Sequence, residues 1–230
     1  MLAGGLATRM RPLTETVPKS MLAVAGEPFI AHQLRLFHRQ GLTRVVLCLG
    51  HLGDAVRDSV GDGSAFGLSV SSSFDGGVLL GTAGALKKAA PMLGDVFWVT
   101  YGDSYLDVDL APIWQAFERS ERPALMTVLR NENRWDRSNV HFRDGRIECY
   151  DKHDPSPVMN HVDFGLSLFR RQVLDDVPGG QPSDLATVLS ALVRRGAVAG
   201  FEVSERFFEI GSPQGLRETD HKLRQLRQDH

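Results

Sequence analysis

The first residues able to do chemistry stand at the start of the chain: Gly4-Gly5, Thr8, Arg9 and Arg11, with Lys19 a short way on. Glycine lets backbone N–H groups approach phosphate oxygens with no Cβ in the way. Arginine adds charge-assisted hydrogen bonds and lysine a movable point charge, so the group suits a polyphosphate. A bare Gly-Gly pair is equally an ordinary turn, with the cations a solvated face. The two commoner glycine-rich phosphate loops are absent, because no Gly-Lys-Ser/Thr closes this one and no Gly-x-Gly-x-x-Gly opens a helix.

A second candidate lies in Tyr101-Gly102-Asp103-Ser104, directly after the apolar run Val96 to Tyr101. A carboxylate at the carboxyl end of a strand is where open α/β sheets bind ligands, and a hard oxygen donor there suits Mg²⁺. Asp103 is otherwise a cap for the next loop. Near the end, Phe207-Phe208-Glu209-Ile210-Gly211-Ser212-Pro213 offers Glu209, either as a second metal ligand or as a cap of the terminal helix that opens near Pro213. Other chemistries find no support. The histidines form no His-x-x-x-His pair, and no Gly-x-Ser-x-Gly marks a nucleophile turn.

The elements that must position these residues follow from periodicity. Arg44 to Leu49, Ser69 to Ser73, Val96 to Tyr101 and Ala124 to Leu129 are strand-like, and between them Asp54 to Val60, Thr82 to Ala90 and Ala111 to Ser120 are helical. That is the rhythm of a parallel sheet covered by helices. After Arg130 the runs Val140 to Phe142, Arg146 to Tyr150 and Val162 to Phe169 follow one another with only turns between, which predicts antiparallel additions. A helix over Asp184 to Arg194, short strands at Val198 to Glu202 and Phe207 to Ile210, and a charged helix over Pro213 to Leu226 complete the chain. Leu216, Leu223 and Leu226 in that last helix would serve either a homodimer contact or the domain's own surface.

At 230 residues the chain can bury one good core, so a single domain is expected. A formal charge of -2 gives no general field to attract nucleic acid or an anionic membrane, so any anion site must be local. No apolar stretch is long enough to span a bilayer, and a cytoplasmic protein is expected. Cys48 and Cys149 lie in strand-like stretches without metal or redox spacing and are expected to be buried free thiols.

Taken together, Gly4-Gly5-x-x-Thr8-Arg9-x-x-Pro12-Leu13-Thr14, Pro18-Lys19-Ser20-Met21-Leu22 and Val24-Ala25-Gly26-Glu27-Pro28 resemble the signature of the sugar-1-phosphate nucleotidyltransferase family. The resemblance runs over nearly the whole chain and is most specific in the first 30 residues. It implies a three-layer α/β/α Rossmann-like fold with a mixed, mostly parallel sheet. In it, residues 1–110 would bind nucleotide and 111–230 sugar phosphate. Leu2, Ala3, Gly4, Gly5 and Thr8 would hold the nucleotide, Arg9 its triphosphate, and Lys19 the reacting phosphate, with Asp103 and Glu209 as Mg²⁺ ligands. Leu80-Gly81-Thr82-Ala83-Gly84-Ala85 resembles the stretch facing base and ribose, though the same residues make a tightly packed helix start. Tyr150-Asp151-Lys152 resembles the segment whose lysine meets the sugar-linked phosphate, and Asp163-Phe164-Gly165 the one that contacts the sugar. Lone residues of these types in loops are also commonly just solvated.

This sequence departs from the family in several places, among them the proline displaced to Pro155 after Lys152. Glu209 stands where an aspartate is usual, the asparagine common near Asp163 is absent, and the first strand is short, as from a late start. The implied activity is transfer of a nucleotidyl group from an NTP to a sugar-1-phosphate. Guanylyl transfer to a heptose- or hexose-1-phosphate comes first, with uridylyl, thymidylyl or cytidylyl transfer as alternatives. A catalytically silent, nucleotide-sugar-binding regulatory domain is the rival from another class, against which the retention of Arg9, Lys19 and Asp103 weighs.

Overall fold

The computed structural model describes residues 1–228. In chain order its elements begin with the two-residue strands β1 (Ala23–Val24) and β2 (Glu27–Pro28), helix α1 (Phe29–Arg39), strand β3 (Arg44–Leu49), helix α2 (Gly53–Val60) and strand β4 (Ser69–Phe74). Next come α3 (Gly81–Ala89), β5 (Val96–Thr100), the short β6 (Ser104–Tyr105), α4 (Leu110–Ser120) and β7 (Ala124–Arg130). Strands β8 (Val140–Arg143), β9 (Arg146–Tyr150) and β10 (His161–Arg170) follow. The chain then runs through α5 (Leu185–Arg194), β11 (Val198–Val203), β12 (Phe208–Glu209) and α6 (Pro213–Gln228). These elements fall into two compact units. Unit 1 takes Met1–Leu79, Tyr101–Asp107 and the stretch from Phe207 onward, and unit 2 takes Leu80–Thr100 and Val108–Arg206.

In unit 1, β3 and β4 pair in parallel from Arg44↔Ser69 to Leu49↔Phe74. Leu2 adds single-residue parallel bridges to Cys48 on one side and Tyr101 on the other. Helix α1 is enclosed on two sides. Ile30, Leu34 and Phe37 pack with Val45, Leu47 and Val56, while Phe29 and Leu36 pack with Met10, Tyr105 and Ile210. Strands β6 and β12 pair antiparallel, Glu209 opposite Ser104 and Phe208 opposite Tyr105. Leu223 is buried in the core next to Met10 and Ile210, with Leu216 and Leu226 packed against it. These three leucines therefore serve unit 1's own core, and no dimer contact needs to be invoked for them.

Unit 2 is built on a six-stranded sheet in the order β5-β10-β7-β11-β9-β8, with β8 also reaching β10 at Val140↔His161. The long β10 pairs antiparallel with both β5 and β7, and among the described residues of this sheet the β7–β11 pairing is the parallel one. The sheet is mixed, as expected, but its parallel share is smaller than expected, because β10 inserts between β5 and β7 and reverses both contacts. Residues Ala124 to Leu129 of β7 are all buried, as a strand covered on both faces must be. Asp109 and Asp184 cap α4 and α5, accepting hydrogen bonds from the N–H groups of Ala111 (2.9 Å) and Ala186 (3.1 Å).

Cys48 is buried, but Cys149 is exposed. The expectation of two buried thiols fails at Cys149 because that side chain lies on the solvent side of β9, between the buried Ile147 and Tyr150. Among the described residues no helix is long and apolar enough to cross a membrane.

Candidate active site

The N-terminal loop of unit 1 leaves the parallel strands at their carboxyl ends. Ala3 N–H donates to Cys48 O at 2.9 Å and Gly102 N–H donates to Leu2 O at 2.8 Å, so the ladder uses the backbone of Leu2 and Ala3. Beyond them the chain is tightly stacked. A methyl on Gly4 would sit 2.8 Å from Gly50 N, and one on Gly102 would sit 2.7 Å from Ala3 Cβ. Only glycine permits backbones this close. Gly5 is different: a methyl there would meet nothing within 4 Å, and the residue is exposed. Of the glycine pair, Gly4 makes the close approach and Gly5 stays open to solvent.

The loop then turns through Thr8–Met10, where Thr14 Oγ1 donates to Ala7 O at 2.8 Å and Met10 is buried in the core. This anchorage leaves Thr8 and Arg9 exposed. Lys19 opens the next short turn, and its Nζ donates to Asp103 Oδ2 at 2.8 Å. Each side chain keeps about a fifth of its surface accessible, 20% for Lys19 and 22% for Asp103. The pair is thus sheltered yet reachable. Ser104 Oγ contacts the other carboxylate oxygen, Oδ1, at 3.2 Å.

Glu209 is brought to the same turn by the β6–β12 pairing, and Ile210 N–H donates to Asp103 O at 2.9 Å. The Glu209 carboxylate and Arg9 also converge. A methyl on the buried Gly211 would lie 3.3 Å from Glu209 Oε2 and 3.5 Å from Arg9 Nη2. All four expected catalytic and metal-binding residues, Arg9, Lys19, Asp103 and Glu209, therefore belong to unit 1, with Lys19 in contact with Asp103 and with Arg9 and Glu209 both reaching Gly211.

These residues fit Mg²⁺. No cluster of three or more His, Cys, Asp or Glu exists among the described residues, so a cage made wholly of protein is not on offer. Two carboxylates on neighbouring rungs, Asp103 and Glu209, have the chemistry that would suit an ion that completes its shell with phosphate oxygens and water.

In unit 2, Gly81, Thr82 and Ala83 open α3 and are occupied by packing. Ala83 N–H donates to Ser183 O at 2.9 Å, and a methyl on Gly81 would sit 2.7 Å from that same oxygen. Thr82 Oγ1 donates to Asp184 Oδ1 at 2.9 Å and accepts from Leu185 N–H at 2.7 Å, joining the start of α3 to the start of α5. Among the three, Ala83 is buried, Thr82 half-buried and Gly81 exposed.

Lys152, Asp163 and Gly165 come together at one end of the sheet. Asp163 stands at an irregularity in β10, where Gly165 takes a φ of +88°. Asp163 Oδ1 accepts the Gly165 N–H at 2.9 Å, and Oδ2 is 3.3 Å from the Tyr150 hydroxyl. Burial lifts the Asp163 carboxyl above the ordinary aspartate range, opposed by the Gly165 N–H, the Lys152 charge and the Tyr150 hydroxyl. A residue that the sequence does not single out, Asn139, completes the arrangement. Its Oδ1 accepts Asp163 N–H at 2.9 Å and its carbonyl accepts Asp151 N–H at 3.0 Å. No local spacing could have shown this, because the partners meet only once β8, β9 and β10 are paired.

This chain is similar to known proteins along nearly its whole length. A family model described as nucleotidyl transferase matches residues 1–224. The N-acetylmuramate alpha-1-phosphate uridylyltransferase of Neisseria meningitidis is 31% identical over 224 residues, 95% of this chain and 94% of that protein. The mannose-1-phosphate guanylyltransferase of Mycobacterium tuberculosis is 30% identical across 93% of this chain, which spans 61% of that longer relative. Among solved structures, HddC from Yersinia pseudotuberculosis matches with a TM-score of 0.81 over 96% of this chain and 97% of that one, at 22% identity, which shows a shared fold.

Proposed function

Because this chain belongs to the nucleotidyl transferase family, we propose that it transfers a nucleotidyl group from a nucleoside triphosphate to a sugar-1-phosphate and releases pyrophosphate. An oxygen of the sugar-linked phosphate attacks the α-phosphorus in line. The new oxygen–phosphorus bond forms as the bond to the bridging oxygen of pyrophosphate breaks. The attacking oxygen is already anionic at neutral pH, so the protein needs no nucleophile of its own and works by positioning and charge neutralisation.

Arg9 and the exposed Gly5 amide would hold the triphosphate, and Lys19 would stabilise the phosphate under attack. Asp103 and Glu209 would hold Mg²⁺, which when bound offsets the charge of the polyphosphate. In unit 2, Lys152 would meet the sugar-linked phosphate and Asp163 the sugar, with Gly165 leaving it room. Gly81, Thr82 and Ala83 would border base and ribose. The observation that carries this reading is the 2.8 Å contact of Lys19 with Asp103, one residue beyond the packing of Gly102 on Ala3.

UTP is the preferred donor in this reading, ahead of the GTP that the motifs alone put first. The uridylyltransferase relative is matched along almost its whole length, whereas the guanylyltransferase is matched along 61%. Guanylyl transfer stands second on the strength of that 30% identity. The test is to incubate the protein with Mg²⁺, each of the four ribonucleoside triphosphates or dTTP, and a panel of sugar-1-phosphates that includes N-acetylmuramate 1-phosphate, while following pyrophosphate. One strong pair names the substrates. Silence across the panel would favour a nucleotide-sugar-binding regulatory domain instead.

A further inference from the structure

Gln33 is a polar residue at 0% exposure in the middle of α1, where an apolar side chain would be the default. Its Nε2 donates to Tyr101 O at 3.0 Å and to Ser104 O at 2.8 Å. Those carbonyls flank Gly102-Asp103, so one amide group grips the turn on both sides of the carboxylate. Its Oε1 has no hydrogen-bond partner among the described residues. Facing two carbonyls, the amide must present its nitrogen, so its orientation is fixed. A buried amide that leaves its own acceptor unmatched is held there for its two donors.

The carboxyl-terminal end of α1, with its capping residue Gln40, holds the chain beyond that turn, at Tyr105 and Leu106. Gln40, two turns further on, donates to Leu106 O at 3.2 Å, and Arg39 donates to the Tyr105 hydroxyl at 3.2 Å. The helix also seats the lysine side of the pair, because Phe29 N–H, at its first turn, donates to Leu22 O just after the Lys19–Met21 turn. One helix thus carries both halves of the Lys19–Asp103 contact. We propose that Gln33 is a positioning residue for the reaction: it fixes the Tyr101–Ser104 turn so that the Asp103 carboxylate stays at Lys19 and at the oxygen-ligand position assigned to Mg²⁺. This inference rests on the role given to Asp103 above.

The test compares Gln33→Met, which keeps the volume and removes both donors, with Gln40→Met, which removes a bond of the same kind from the same helix. Gln33→Met should lower kcat about ten- to a hundredfold, as loss of a supporting partner behind a ligand commonly does. KM for each substrate should stay within about threefold, and Gln40→Met should keep kcat within about twofold. A crystal structure of Gln33→Met should show Lys19 and Asp103 parted beyond hydrogen-bond distance or Asp103 in more than one rotamer. Turnover within about twofold of wild type with the contact intact, or an equal fall in both variants, overturns the proposal. Where Gln33→Met yields no folded protein, Gln33→Asn decides: a several-fold loss of kcat with an unchanged melting temperature supports the positioning role, and unchanged kcat overturns it. If wild type itself is inactive across the substrate panel, the functional reading falls, and the crystallographic comparison still decides whether Gln33 holds Asp103.

Discussion

Lys19 Nζ and Asp103 Oδ2 meet at 2.8 Å across 84 residues of chain. Neither partner lies deep and each side chain stays partly accessible, so the contact has the form of a poised pair rather than of a structural lock. Lys19→Ala should lower kcat about a hundred- to a thousandfold, the usual effect of removing one preorganised charge-stabilising donor. Steady-state pyrophosphate release measures it. Near-full turnover in the variant would contradict the assignment.

The two glycines of the first loop should separate cleanly under substitution. Gly4→Ala drives a methyl against Gly50 N, a backbone atom that cannot yield without moving β3, and overpacking of this kind costs on the order of 1–3 kcal/mol. Its melting temperature should fall accordingly, by roughly 2–4 °C per kcal/mol in a chain of this size. Gly5→Ala meets nothing and should melt within a degree or two of wild type, while its KM for the triphosphate rises about tenfold. Thermal melts and substrate titrations on both variants check the contrast.

Asp163 predicts a pH dependence of stability. Its carboxyl titrates above the ordinary aspartate value in the fold, whereas the unfolded chain keeps the ordinary one, so the folded state holds the proton to higher pH. The contribution of this group to stability is therefore greatest below the ordinary aspartate range and declines as pH climbs through the raised folded value. Asp163→Asn removes that decline. It should melt a few degrees above wild type at neutral pH, and the gap should close near about pH 4. A gap that is constant across this range would show that burial of the charge is not its source. That wild type accepts an unfavourable buried carboxylate here is itself an indication of use.

The two thiols should react on different time scales. Cys149 is open to solvent, whereas Cys48 is buried and its thiol is pushed up by that burial, so it offers little thiolate. A colorimetric thiol reagent should titrate one sulfur per chain promptly in the native protein and two in denaturant. Prompt reaction of both would contradict the burial of Cys48.

Much of the fold was legible because its elements carry one-sided patterns. Strands β3 and β7 show as nearly continuous apolar runs, β10 as an alternating one, and α4 and α5 as stripes opened by a capping aspartate. Helix α1 is harder to read: Phe29 to Leu34 are all buried, the polar His32 and Gln33 included, and its exposed residues Arg35, His38 and Arg39 lie in its second half. Strands β6 and β12 are two residues long and exist only by pairing with each other. Arg9, Lys19 and Asp103 in unit 1 and Asp163 in unit 2 were readable from motif order, and the support behind Asp103 and behind Asp163 was not. Gln33 and Asn139 act on backbone groups brought to them by distant parts of the chain. Cys149 was misplaced because strand propensity does not tell which face of β9 meets water.

The interrupted make-up of unit 1 bears on how the protein is born at the ribosome. A nascent chain halted after residue 107 has Lys19, Gln33 and Asp103, but no β12 to pair with β6 and no Leu223 to close the core over Met10 and Ile210. Until α6 has emerged, the half-built unit must wait with that core open to solvent and to other unfinished chains, so the synthesis of α6 sets when the proposed phosphate site first exists.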